Sequence, residues 1–183
     1  MTALILVDLQ NDYFPGGKME LEGALPAAQK AAQALEAFRG RQWPVFHIRH
    51  LSLRPGSAFF LPGTPGAEIH LSVKPLPGEK VIEKHFPNSF RETSLLAELK
   101  AAGAEELVIA GNMTHMCIDA TIRAAFDLGF KVTLLEDACA TRELVWKGQT
   151  IPAASVRGAM FAALSGVYSQ VLETGAYLES LPG

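Results

Sequence analysis

The chain has 183 residues, a formal net charge of -3, a hydrophobic share of 49% and a charged share of 19%. That length suits one domain covering residues 1–183 with a full hydrophobic core, and that composition excludes a disordered chain. No long run of either charge sign occurs, so the basic footprint of a nucleic-acid binder is missing and no nucleic-acid partner is expected.

Leu4 to Val7 opens the chain with an apolar run that lacks a basic flank and stops at Asp8, which is not the pattern of a signal peptide. No apolar stretch approaches the length of a bilayer span, so no membrane partner is expected. Two cysteines, Cys117 and Cys139, are too few for a disulfide-built scaffold, and a reducing, cytoplasmic setting is the expectation.

Short apolar runs alternate with helical patterns. Leu4–Val7 reads as a buried strand. Pro26–Arg39 carries Ala28, Ala31, Ala32, Leu35 and Phe38 at helical spacing, with Gly40 as a C-cap. Strands follow at Val45–Ile48 and Lys80–Glu83, then a helix over Glu92–Ala102, a strand at Leu107–Ala110 and a helix over Thr114–Leu128. Val132–Leu135 is the fifth strand, Pro152–Leu164 a helix and Val167–Leu172 the last strand, with Thr174 placed to cap a final turn. Strands separated by helices imply right-handed βαβ units, hence a parallel sheet covered on both faces. Leu51–Pro77 is one long irregular stretch rich in proline and glycine, and an ordered loop of that length is a lid or a site wall more often than a linker.

In open parallel sheets the ligand sits beyond the carboxyl ends of the strands. Asp8, Lys84 and Cys117 all stand at or just past such ends. A helix N-terminus and a nearby ammonium favour the thiolate of Cys117. Asp8 would take and return a proton. Lys84 would hold the carboxylate and stabilise the thiolate, and backbone N–H groups from Met113 to Cys117 would cradle an oxyanion. Taken singly, each residue has a bland reading: a buried small hydrophobe for a cysteine, accepted here for Cys139, a turn residue for the aspartate, an edge charge for the lysine.

Taken together they fall inside motifs. Leu6-Val7-Asp8-Leu9-Gln10-Asn11-Asp12-Tyr13-Phe14, Glu83-Lys84-His85-Phe86-Pro87-Asn88-Ser89-Phe90, Gly111-Asn112-Met113-Thr114-His115-Met116-Cys117-Ile118 and Asp137-Ala138-Cys139-Ala140-Thr141 resemble, in order and over the whole chain, the signatures of the isochorismatase-like cysteine hydrolases. The resemblance implies a three-layer α/β/α sandwich around a six-stranded parallel sheet. It implies a catalytic triad of Asp8, Lys84 and Cys117, an oxyanion hole from the Met113 and Cys117 amides, and a cis peptide between Asn112 and Met113. Members are commonly homodimers or homotetramers.

Isochorismatases proper generally lack the nucleophilic cysteine. Its retention here points to cleavage of the C–N bond of a small amide through a thioester. Nicotinamidase-type members hold a metal with an Asp-x-His pair after the second strand. Here that place reads His47-Ile48-Arg49-His50-Leu51-Ser52 without the aspartate, so no metal and no cofactor are expected. Phe14, His50, Phe59, Phe60, Phe86 and His115 are the candidates for the substrate pocket, since such pockets are mainly apolar and aromatic. Two other readings stay open: a metal-dependent hydrolase using His47, His50 and Asp8, and a binding module in which Cys117 senses redox state.

Overall fold

The computed structural model describes residues 1–182. The β-branched and leucine-rich runs form six parallel strands: β1 (Thr2–Val7), β2 (Val45–His50), β3 (Lys80–Lys84), β4 (Glu106–Asn112), β5 (Lys131–Ala140) and, after a hairpin described below, β8 (Gln170–Leu172). Their order in the sheet is β3-β2-β1-β4-β5-β8. The chain therefore runs outward from β1 to one edge, returns to the other side of β1 at β4, and runs outward again. That reversal of direction between β1 and β4 is where a doubly wound sheet leaves a crevice at its carboxyl edge.

Alternation along β1 divides the core. Leu4 and Leu6 point to a face covered by α1 (Ala24–Gly40) and α5 (Thr174–Glu179), where Ala31, Leu35, Phe38 and Tyr177 meet them. Ala3, Ile5 and Val7 point to the opposite face, covered by α2 (Leu95–Ala101), α3 (Asp119–Asp127) and α4 (Ala153–Leu164), through Leu95, Leu99, Ile122, Phe161 and Leu164. Both faces being dry explains why β1 and β4 read as continuous apolar runs rather than alternating ones. No helix among the described residues is long and apolar enough to cross a membrane.

Several boundaries differ from the sequence reading. β5 runs on to Ala140, because the register shifts so that Ile109 faces Leu134 while Gly111 faces Cys139. Cys139 is therefore a core strand residue, and burial pushes its thiol up to about 12. Gly40 is the last residue of α1, and Gln42 takes the left-handed conformation beyond it. Thr174 begins α5 without capping it; its hydroxyl donates to Asp137 Oδ1 at 2.6 Å. The segment Leu144–Ile151, unassigned from sequence, is a hairpin of β6 (Leu144–Trp146) and β7 (Gln149–Ile151). Lys147 and Gly148 both have positive φ at its turn, the geometry that matches strand twist. Lysine is not a usual residue there, which is why the pattern was silent.

One close approach fixes the centre of the sheet at its carboxyl end. Gly111, with φ +128, packs so tightly on β1 that an added Cβ would lie 2.0 Å from the Val7 carbonyl oxygen. Gly111→Ala should therefore cost about 2–6 kcal/mol, combining positive-φ strain with overpacking. Urea unfolding measures it, and a loss under about 1 kcal/mol would mean that β1 and β4 part without penalty.

Candidate functional site

Three strand ends deliver the charged groups. Asp8 follows β1 with φ 51, a left-handed conformation that aspartate tolerates better than most residues. Lys84 is the last residue of β3. His50 is the last residue of β2 and pairs in register with Lys84. Cys117 comes from a single π-helical turn, Thr114–Ile118, that joins β4 to α3. Such turns are frequent at functional sites. The sequence reading of one helix over Thr114–Leu128 is corrected accordingly: the π turn comes first and α3 starts at Asp119. The Asn112–Met113 peptide before the turn is cis.

These residues converge on the Lys84 ammonium. Its Nζ lies 2.7 Å from Asp8 Oδ2, 3.0 Å from His50 Nδ1 and 3.2 Å from Cys117 Sγ. Asp8 and Lys84 are fully buried, and Cys117 nearly so. An isolated buried charge is expensive, so the geometry must compensate for lost water. It does so for Lys84: burial opposes its charge, but Asp8 and then Cys117 outweigh burial and raise its pKa. His50 moves the other way. Burial, reinforced by Lys84 against the pull of Asp8, pushes its imidazole down to about 4, so it is neutral near pH 7.

The sulfur departs from the sequence expectation of a thiolate. Burial first, and the Asp8 carboxylate second, raise the Cys117 pKa and overcome the opposing effect of Lys84. The resting site thus pairs a protonated thiol with a carboxylate. Asp8 Oδ1 is buried without a hydrogen-bond partner, so one of its oxygens is open to a proton. The Met113 N–H also has no acceptor among the described residues.

A cavity of about 680 Å³ opens onto the sulfur, a size typical of small-molecule sites. His50, Phe59, Phe60 and Phe86 line it, whereas Phe14 and His115 do not. Phe14 is buried and stacked on the His70 ring at 3.7 Å, within the packing that supports the long loop. His115 turns from the cavity to bond Thr141 Oγ1 at 2.6 Å. Tyr13, Leu53, Arg54, His85, Met113 and Met116 line it too, together with Pro87 and the polar Ser52, Ser57 and Glu92. Of these, Tyr13, His85, Met113 and Met116 lie within the motifs read from the sequence, whereas Leu53 and Arg54 had no signal beyond their place in the long loop.

The loop from Leu51 to Pro77 forms one wall, and two polar side chains from the first motif hold it. Gln10 donates to the carbonyls of His50 and Ala67 at 2.8 Å each and accepts from the His50 N–H at 2.7 Å. Asp12 accepts from the Phe60 N–H at 2.6 Å and the Lys18 N–H at 3.2 Å. Gly66 is glycine because a Cβ there would lie 2.1 Å from Asp12 Oδ1.

The metal of nicotinamidase-type proteins does not fit these residues. His47 is committed to Glu79 at 2.9 Å in a partly buried cluster that also holds Arg39, so His47, His50 and Asp8 do not form a ligand set. Among the described residues the clustered candidates are Asp8, His50 and Cys117, with ligand atoms within 4.8 Å of one another. Lys84 Nζ already stands within hydrogen-bonding distance of all three.

The isochorismatase domain model matches residues 2–165. The chain belongs to the isochorismatase family. The uncharacterized isochorismatase family protein YddQ of Bacillus subtilis is 49% identical over 97% of this chain and 99% of its own. Ureidoacrylate amidohydrolase RutB of Variovorax paradoxus is 31% identical over 85% of this chain and 73% of its own. A solved structure from Oleispira antarctica, assigned to the isochorismatase hydrolases, superposes with a TM-score of 0.95 at 47% identity, covering 98% of this chain and 96% of that one. This isochorismatase-family hydrolase thus shares its fold with the Oleispira structure over nearly the whole length of both.

Removing the Asp12 carboxylate frees two backbone donors, one of them buried. Asp12→Ala should cost about 1–3 kcal/mol of stability and raise KM for any substrate of the cavity. Thermal unfolding and steady-state kinetics check both, and an unchanged KM would show that the loop keeps its place without this tie.

Proposed function

We propose that this chain hydrolyses the C–N bond of a small, non-peptide amide through a thioester on Cys117. The observation that carries the reading is the shared ammonium: Lys84 Nζ holds Asp8 Oδ2 at 2.7 Å and Cys117 Sγ at 3.2 Å at the floor of an apolar cavity. The amidohydrolase name of the Variovorax relative supports the same bond type.

The amide enters between the Leu51–Pro77 loop and the strand ends. Sγ attacks the carbonyl carbon as its proton passes to Asp8, whose Oδ1 has no other partner. Concerted transfer suits a thiol that burial holds protonated, because no free thiolate has to accumulate. The oxyanion rests on the Met113 and Cys117 N–H groups. Asp8 then gives its proton to the departing nitrogen, the C–N bond breaks, and the acyl group remains on sulfur. Water, deprotonated by Asp8, attacks the thioester, and the thiol leaves reprotonated. Lys84 stays a cation throughout and keeps carboxylate and sulfur together.

The working assembly is a homodimer or homotetramer in this reading. Support comes from the β6–β7 hairpin, which leaves Val145 and Trp146 65% and 68% exposed. Isolated apolar side chains are ordinary on surfaces, whereas a projecting pair of this size fits an interface.

With a panel of small primary amides, Cys117→Ala should reduce turnover by at least about a thousandfold. Wild-type protein quenched during turnover should carry one acyl adduct by intact-mass analysis. Wild-type rates in the alanine variant, or a sulfur that gains only reversible oxidation products, would remove the nucleophile from this reading.

A further inference from the structure

The π turn Thr114–Ile118 presents two neighbouring sulfur atoms to one cavity and treats them oppositely. Cys117 is 5% exposed, whereas Met116, the residue before it, lines the cavity with 44% of its surface exposed. The turn is held in that arrangement. Thr114 donates to the Ala140 carbonyl at 3.2 Å, His115 bonds Thr141 at 2.6 Å, and the Met116 N–H donates to the Met113 carbonyl at 3.0 Å. Met113 also lines the cavity but is buried, and Met1, Met19 and Met160 do not line it. Met116 is thus the accessible thioether of this cavity.

The two sulfurs also differ in what an oxidant can do with them. A peroxide reacts with a cysteine through the thiolate. Cys117 keeps its proton, because burial first and the Asp8 carboxylate second work against the anion. A thioether has no proton to lose and offers a lone pair at any pH. Exposure and protonation therefore both direct an oxidant to Met116.

We propose that Met116 is an oxidation site beside the nucleophile: its thioether takes one oxygen from a peroxide ahead of the thiol, and the sulfoxide hinders the cavity. The sulfur lone pair attacks one peroxide oxygen, and the O–O bond breaks as the S–O bond forms. The other oxygen leaves with the proton of the first, as water or, from an organic peroxide, as an alcohol. Sulfur is oxidised by two electrons and the peroxide is reduced by two. The product is a polar, chiral side chain in a wall that also holds Phe59, Phe60 and Phe86. Cys117 is spared irreversible oxidation, and a methionine sulfoxide reductase can reverse the change at Met116. The order of oxidation stands apart from the amidase reading, whereas its effect on turnover rests on that reading.

The test treats wild-type and Met116→Leu protein with hydrogen peroxide at neutral pH and follows peptide masses and turnover of the amide panel together. In wild type, the Met116 peptide should gain one oxygen before any reaches Cys117 or Met113. In step with it, kcat/KM should fall about tenfold, the scale of one altered apolar contact in a pocket. Met116→Leu nearly conserves volume and should keep, after treatment, whatever rate it had before. Methionine sulfoxide reductase with dithiothreitol should restore the wild-type rate, and dithiothreitol alone should not. Oxidation of Cys117 first, an equal loss in Met116→Leu, or a fully oxidised Met116 with unchanged kinetics overturns the proposal.

Should no amide be turned over, the amidase reading fails while this one is decided by labelling. N-phenylmaleimide, an apolar thiol reagent, reaches Cys117 through the same cavity. Its rate of addition should fall about tenfold once Met116 is oxidised, with no fall in peroxide-treated Met116→Leu. An unchanged rate, a sulfur that never labels, or the same fall in both proteins overturns it.

Discussion

The site depends on one buried cation. Lys84 Nζ lies within hydrogen-bonding distance of Asp8, His50 and Cys117 alike, and it contributes a positive charge where water has been removed. Without it, the Asp8 carboxylate would face the sulfur uncompensated, and any negative charge developing on sulfur would be repelled. With it, a carboxylate and a thiol share one counter-charge, and a proton can pass between them with little change in net charge. A thiol that burial holds protonated suits the proposed reaction, in which the proton leaves sulfur as the carbonyl is attacked.

Bringing a lysine to that spot is the task of the sheet. β3 lies at the edge, two strands away from β1, yet the parallel register sets Lys84 beside His50 and leaves both at the carboxyl end near Asp8. The tight approach of Gly111 to Val7 holds β4 against β1, which fixes where the π turn begins and hence where Cys117 points. Above this rigid floor sits a loop with little regular structure. Gln10 and Asp12 hold that loop by its backbone, so the motif that supplies Asp8 also supplies the ties of the pocket wall.

Much of this was legible in the chain. Apolar runs buried on both faces, broken by helical patterns, gave a parallel sheet because nothing else covers such strands. Asp8, Lys84 and Cys117 were legible because they occur at strand ends and within motifs. What escaped was set by tertiary contact. Periodicity cannot separate a π turn from the α-helix that follows it. Phe14 and His115 are adjacent in sequence to site residues, but the local backbone sends Phe14 to His70 and His115 to Thr141. The ionisation of Cys117 was misjudged because a helix start and a nearby lysine are visible in sequence, whereas full burial beside a carboxylate is visible only in space. Gln10 and Asp12 looked like parts of a signature; their hydrogen bonds to residues some 50 positions on reveal the loop they tie down.

The central claim is that Lys84 is a charged hub with all three protons engaged. Nitrogen-detected NMR of lysine side chains, with Lys84→Met protein to assign the resonance, observes it directly. The account predicts a slowly exchanging ammonium signal that stays charged to a pH above the ordinary lysine pKa, as the raised value requires. A Lys84 amine that titrates below that value, or whose protons exchange as fast as those of surface lysines, would contradict it.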